Sequence, residues 1–190
     1  MQTEYEATFE NIDKADIRER LKNAGAKLIK PETLYRRETF KSKIDPINAW
    51  LRVRDEGDKI TMSHKMSTGN KIDDQKEICL TVDSLENAVD FLESLGYEKK
   101  AFQETKRELW NLDGVEITID EWPFLEPFVE VEGESEEKVK QACEKLKFDY
   151  SQAIFCAVGT LYKRKYGIHP DEINNKVDKI IFEMKNPFVK

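Results

Sequence analysis

Seven stretches of this chain alternate polar with apolar residues, and their polar residues are sorted by sign from one stretch to the next. TEYEATF, TLYRRETF, AWLRVRDEGDKITMSHK, QKEICLTV, AFQETKRELWNL, VEITIDEW and FVEVEG carry the two-residue period of strands with one face on a core. The third contains DEGD between two such runs and NLDG follows the fifth, so both sites read as hairpins and the strands number about eight. Glu4, Glu6 and Thr8 oppose Tyr5, Ala7 and Phe9, while Arg52 and Arg54 oppose Leu51 and Val53. Thr61, Ser63 and Lys65 oppose Ile60 and Met62; Glu77 and Thr81 oppose Ile78 and Leu80. Thr105 shares a face with Arg107, Glu116 with Thr118 and Asp120, and Glu130 with Glu132.

One acidic pair such as Glu4 and Glu6 means nothing alone: with 38 acidic residues in 190, acidic-x-acidic spacing arises by chance roughly eight times. A solvent-facing sheet would explain plain alternation, but such faces usually mix Lys with Glu to gain pair energy. Here some strands offer only carboxylates and others only Arg or Lys. If the strands close into a barrel with helices outside, the apolar faces pack outward and the charged faces line an interior.

Between the strands lie capped helices. Asp13 caps a run through Ala24 with Ile17 and Leu21 on one face and Gly25 as a stop; Ser84 caps LENAVDFLESLG; Ser135 caps EEKVKQACEKL, whose first turn carries Glu136 and Glu137. A fourth helix is predicted over Gln152–Tyr166, with Ile154, Phe155, Val158, Leu161 and Tyr162 inward and Gly167 at its end. The segments around the first two helices resemble one another and suggest two similar halves. The fold class is therefore α+β: an eight-stranded antiparallel β-barrel with helices packed outside. At 190 residues this is a single domain, 1–190; residues 1–166 form the barrel and its helices, and 167–190, with the apolar run KIIFEM, pack on the outside or on a partner.

Charge and composition exclude several classes. A net charge of −7 argues against a nucleic-acid binder. No stretch approaches the roughly 18 apolar residues of a membrane span, and no basic region precedes an apolar run at the N-terminus, so the expectation is no membrane and a cytoplasmic protein. Cys79, Cys143 and Cys156 are odd in number and form no C-x-x-C pair, which fits free thiols rather than disulfides or zinc. His64 and His169 carry no site signal, and Trp50, Trp110 and Trp122 lie at strand ends where core or rim packing is expected. What remains is a charged interior that needs a charged guest. Glu4, Glu6, Asp120, Glu130 and Glu132 are hard oxygen ligands suited to Mg²⁺ or Mn²⁺. Arg37, Arg52, Arg54, Lys65 and Arg107 suit phosphate oxygens. Metal plus cations is what polyphosphate chemistry needs.

These residues, in this order, resemble the CYTH proteins, or triphosphate tunnel metalloenzymes, which include class IV adenylyl cyclases, thiamine triphosphatases and inorganic triphosphatases. EYEAT resembles the family's E-x-E-x-K signature, AWLRVRDEGDKITMSHK its L-R-x-R strand and following lysine strand, and QKE, TKRELW, VEITIDEW and FVEVEG continue the match across most of residues 1–166. The resemblance implies a tunnel in which Glu4, Glu6, Glu130, Glu132 and Asp120 hold metal, and Arg37, Arg52, Arg54, Lys65 and Arg107 hold a triphosphate-containing small molecule. It also implies that Glu4, Glu6, Lys65 and Arg107 serve catalysis, with Glu77 a further inward acid. At the register of Arg37 the adjacent Arg36 competes for the inward place. The signature lysine is Thr8 here, a loss that bears on catalysis more than on binding. Three functions follow as expectations: metal-dependent triphosphate hydrolysis, cyclisation of ATP to cyclic AMP and pyrophosphate, and non-catalytic binding of nucleotide or polyphosphate. A homodimer is an expectation from the resemblance alone.

Overall fold

The structure is a computed structural model that describes residues 1–43, 48–67, 69, 71–169, 173 and 177–189. Its elements run β1 (Gln2–Phe9), α1 (Lys14–Asn23), β2 (Lys27–Lys41), β3 (Asn48–Asp55), β4 (Ile60–Ser67), β5 (Gln75–Val82), α2 (Leu85–Ser94), β6 (Lys99–Leu112), β7 (Val115–Glu121), β8 (Phe128–Gly133), α3 (Glu136–Lys145), α4 (Gly159–Tyr166) and β9 (Lys179–Ile180). The strands neighbour one another in the order β2-β3-β4-β5-β1-β8-β7-β6, and pairing of β6 with β2 closes the eight into an antiparallel barrel. The expected α+β barrel with helices outside is what the chain forms. Asp113 and Gly114 of NLDG take left-handed φ angles of 53° and 87°, the geometry a two-residue hairpin needs.

The three capped helices start where their caps place them: Asp13 accepts from Ala15 and Asp16, Ser84 from Asn87, and Ser135 from Lys138. Outward residues Ala7, Phe9, Ile117, Val129 and Val131 pack with Ile17 and Leu21 of α1 and Val139, Ala142 and Cys143 of α3. Phe40 and Val53 are covered by Ala88, Val89 and Leu92 of α2. Each such aliphatic side chain, fully buried, contributes about 1.5–3 kcal/mol. The outer face of β5 has no such cover: Ile78 and Leu80 are 46% and 53% exposed.

A third apolar cluster closes one end of the barrel. Trp122 and Phe128 meet Leu161 and Tyr162 of α4, together with Ile173 and Ile180. Ile180 lies in β9, which pairs parallel with Phe102 and Gln103 of β6 beyond the point where β7 has ended. The described part of the tail thus packs on the barrel, with Phe188 against Tyr162 at 4.9 Å between ring centroids.

The fourth helix is shorter than the periodicity predicts. Residues 150–152 make a single 3₁₀ turn, the chain then runs extended, and α4 begins only at Gly159. The cause is non-local. β1 pairs with β5 only from Gln2 to Glu4, which leaves the rest of that β1 edge without a neighbouring strand, and unpaired buried backbone is costly. Thr8 N–H donates to the Ile154 carbonyl at 3.0 Å, and Ile154 N–H returns a bond to the Thr8 carbonyl at 2.9 Å. Those two bonds hold the segment extended where its apolar spacing alone suggests helix.

Candidate active site

The barrel encloses a cavity of about 440 Å³, the size of a small-ligand site. Its lining gathers Glu4, Glu6, Arg37, Arg52, Arg54, Lys65, Glu77, Arg107, Glu130 and Glu132, so ten of the residues singled out in the sequence share one chamber. Two do not reach it. Asp120 is fully buried, its carboxylate held by Arg107 at 2.7 and 2.9 Å and by the Thr118 hydroxyl at 2.5 Å. Thr8 is 2% exposed, opposite Glu130 in register and engaged with Ile154.

The competition between Arg36 and Arg37 is settled by strand register. Arg37 is paired with Arg54 on one side and Gln103 on the other, and points inward at 6% exposure. Arg36 is exposed and reaches Glu104 at 3.5 Å on the outer surface, so it cannot supply the cation missing at position 8.

The lining divides by sign. β1, β7 and β8 carry Glu4, Glu6, Glu116, Glu130 and Glu132; Glu6 and Glu132 are direct cross-strand partners, as are Glu132 and Glu116. Like charges side by side in a desolvated chamber favour the neutral form. Burial first, then the negative charge of Glu130, raises Glu6 well above the ordinary carboxylate range. Burial, then a hydrogen bond shared with Glu77, raises Glu4 to about 8. Glu132 is raised too, by burial and then by Glu116 and Glu130. Glu77 goes the other way: burial opposes its charge, but the hydrogen bond from Glu4, Lys65 and Arg52 lower it in sum. Glu4 and Glu77 titrate together as one pair, with Glu4 held above and Glu77 below the ordinary carboxylate range.

The basic wall comes from β2, β3, β4 and β6. Lys65 sits 2.9 Å from Glu4 and 3.4 Å from Glu77, and despite its burial these carboxylates raise its affinity for its proton. Arg52 meets Glu77 at 3.1 Å, Arg54 meets Glu56 at 2.6 Å, and Arg107 meets Asp120 and also Glu130 at 2.5 Å. Arg37 alone of the five cations has no carboxylate partner among the described residues: it donates to Thr105 at 2.5 Å and stacks 4.6 Å over the Trp122 ring. Burial, then Arg54, Arg52 and Arg107, push Arg37 well below the ordinary arginine range, and Arg52 falls to about 10 from burial and then Arg54. Among the described residues, Arg37 Nε and Arg52 Nε are buried without hydrogen-bond partners.

Sequence reading passed over two supports. Gln75 donates to Glu6 at 3.1 Å, and Glu56 of the DEGD turn holds Arg54 and Thr61. Neither shows a local signal, because each is defined by its partner on another strand or turn. Among the described residues no three acidic, cysteine or histidine side chains converge as a ready metal-ligand set. The donor set nonetheless fits a hard divalent cation: Glu4, Glu6, Glu130 and Glu132 present carboxylate oxygens on one wall, and their mutual repulsion is what such an ion relieves.

Among solved structures, a conserved hypothetical protein from Pyrococcus furiosus superposes with a TM-score of 0.70 at 20% identity, covering 84% of this chain and 99% of its own. A candidate adenylate cyclase from Vibrio parahaemolyticus gives 0.71 at 13% identity, over 84% and 97%. A Hippeastrum protein described as a candidate adenylyl cyclase with a dominant triphosphatase activity gives 0.56 at 12% identity, over 88% and 96%. At such identities these show a shared fold, and no curated protein sequence matches the chain. The model of the CYTH domain matches residues 2–156, well over half of the chain, and the chain belongs to the CYTH family.

Proposed function

We propose that this protein hydrolyses a triphosphate substrate in a metal-dependent reaction inside the barrel. The observation that carries the reading is Arg37: a buried guanidinium with no carboxylate partner among the described residues, facing Arg52, Arg54 and Arg107. Burying a charge without its counter-charge costs several kcal/mol, and a chain that keeps such a cluster has a polyanion to offset it. Arg37, Arg52, Arg54 and Arg107 would clamp the phosphate oxygens, using the free Arg37 and Arg52 Nε–H donors. Glu4, Glu6, Glu130 and Glu132 would hold Mg²⁺ or Mn²⁺, which supplies charge neutralisation and activation of the attacking water. Asp120 is better placed to orient Arg107 than to bind metal, since both its oxygens are committed. Water would attack the terminal phosphorus, the bond to its bridging oxygen would break, and orthophosphate and a diphosphate product would leave.

Lys65 stands in for the signature lysine. It faces Glu4 directly and its charge reaches Glu6 and Glu132, so the acidic wall keeps one ammonium beside it although position 8 is threonine. The test is incubation with inorganic triphosphate, ATP and thiamine triphosphate in Mg²⁺ or Mn²⁺ with product analysis. Orthophosphate release that stops in EDTA supports hydrolysis. Cyclic AMP as the product of ATP overturns it in favour of cyclisation, and thermal stabilisation by triphosphate without turnover overturns it in favour of a binding protein.

A further inference from the structure

Four of the five cations in the chamber are oriented by carboxylates: Arg52 by Glu77, Arg54 by Glu56, Lys65 by Glu4 and Arg107 by Asp120. Arg37 is oriented by other means. A carboxylate fixes a guanidinium and neutralises it; an aromatic face fixes it through the ring quadrupole and leaves its formal charge in place. Arg37 lies 4.6 Å over the Trp122 ring, inside the roughly 6 Å over which that attraction acts. Its other contact is the neutral Thr105 hydroxyl. The position of this cation therefore depends on the position of one indole. Trp122 directly follows β7, is 6% exposed and lines the cavity, and what holds it comes from outside the barrel. Tyr162 of α4 meets its ring edge-on at 6.5 Å. The turn that follows carries Phe124 at a left-handed φ of 68°, a conformation that a bulky residue keeps only where its surroundings impose it. Two tyrosines of α4 impose it: the Tyr162 hydroxyl donates to the Pro123 carbonyl at 2.7 Å and the Tyr166 hydroxyl to the Phe124 carbonyl at 2.6 Å.

The C-terminal tail locks those tyrosines. Phe188 sits 4.9 Å from the Tyr162 ring, 5.3 Å from Tyr166 and 6.1 Å from Phe124. Asn186 donates to the Tyr166 hydroxyl at 3.0 Å and accepts the Phe188 N–H at 2.9 Å. Tyr162, Tyr166, Asn186 and Phe188 all lie beyond residues 2–156, the span that matches the CYTH domain. We infer that Trp122 is a positioning residue for Arg37, and that the tail, through Phe188, keeps Trp122 in place; the inference rests on the reading of Arg37 as a phosphate clamp. The contacts run unbroken from Phe188 to Tyr162, from Tyr162 to Trp122 and from Trp122 to Arg37. Such an arrangement holds the guanidinium still while its charge stays available to an anion.

Calorimetric titration of inorganic triphosphate into the full chain in EDTA, where metal-dependent turnover is absent, reads the clamp without the chemistry. Trp122→Leu should weaken binding about 10-fold, the scale of a desolvated cation–π contact. Trp122→Phe should keep most of the affinity because a ring remains, and Phe188→Ala should weaken it several-fold. The decisive readout is a double-mutant cycle with Arg37→Met. A residue that acts through Arg37 loses its effect once Arg37 is gone, whereas lost packing adds to it. Binding by Arg37→Met should therefore be unchanged when Trp122→Leu or Phe188→Ala is added. A further loss in the double variants overturns the positioning role and makes the aromatic cluster a packing element. Unchanged affinity in Trp122→Leu overturns it as well, and unchanged affinity in Phe188→Ala removes the tail from it. Phe188 is half-buried, so Phe188→Ala should fold and carry the cycle even where Trp122→Leu does not. Failure of the unaltered protein to bind triphosphate, or full-strength binding by Arg37→Met, overturns the phosphate reading and this inference with it, and shows before any aromatic variant is made.

Discussion

The two walls of the cavity face the same problem, crowded like charges in a desolvated space, and meet it differently. The acidic wall on β1, β7 and β8 can shed charge by taking up protons: Glu4 rises to about 8, and Glu6 and Glu132 rise as well. The basic wall cannot follow suit, because a guanidinium keeps its proton at any physiological pH. Arg52, even when lowered to about 10, stays charged at neutral pH. It leans instead on Glu56, Glu77 and Asp120, and Arg37 has no ion-pair partner among the described residues. One wall can lower its charge by protonation; the other keeps its positive charge.

That difference makes Arg37 the place for the largest effect, and one of unusual sign. If Arg37 clamps phosphate as proposed, Arg37→Met should lower kcat/KM for triphosphate by about 100–1,000-fold, the scale of a lost charge-stabilising donor. The same change should raise the melting temperature, because replacing a buried unrelieved charge by an apolar side chain is worth about 1–4 kcal/mol, at about 2–4 °C per kcal/mol for a chain of this size. A melting temperature that falls instead would mean that Arg37 holds the fold together rather than holding substrate.

On the acidic wall the corresponding changes are Glu6→Gln and Glu132→Gln. Either should abolish metal-dependent turnover and leave the fold intact, read by product assay and circular dichroism together. Full activity in either variant would remove these carboxylates from the metal site and leave the basic wall as the only functional one.

The pH dependence tests the same contrast in the unaltered protein. At the proposed metal site, metal would have to displace a proton from Glu4, so Mn²⁺ affinity should rise with pH up to about 8, by up to tenfold per unit, and flatten above it. Stability runs the opposite way for this group. A folded pKa raised above the ordinary value gives a contribution present at low pH and lost as pH rises from about 4.5 to about 8. Glu77, lowered in the fold, partly offsets that loss because its contribution is present above its ordinary value. Calorimetric titration of Mn²⁺ between pH 6 and 9 separates binding from this background, and an affinity flat across that range would show that Glu4 carries no proton for metal to displace.

The barrel was legible because its signals are local. Two-residue alternation along VEITIDEW or FVEVEG survives in any register, and Asp13, Ser84 and Ser135 cap helices by reaching two or three residues ahead. Most of the chamber followed from the same alternation once the strands were assumed to close. What stayed hidden depends on partners far along the chain. Arg36 and Arg37 are indistinguishable until β2 is registered against β3 and β6. The segment around Ile154 has helical spacing, yet it is drawn straight by the open edge of β1.

Thr8 is where sequence and structure pull hardest against each other, and Thr8→Lys should give the smallest functional change of these variants. The signature would be restored on paper, but Thr8 is 2% exposed and does not line the cavity. Its backbone is tied to Ile154 on one side and faces Glu130 across β8 on the other. A lysine there must bury its stem among these neighbours or push the 153–158 segment away, and overpacking of this kind costs about 1–3 kcal/mol. Since Lys65 already faces the carboxylates, turnover should stay within a few-fold of the unaltered protein while the melting temperature falls. A large gain in turnover would mean that Lys65 does not replace the missing ammonium, and that the acidic wall is short of one cation.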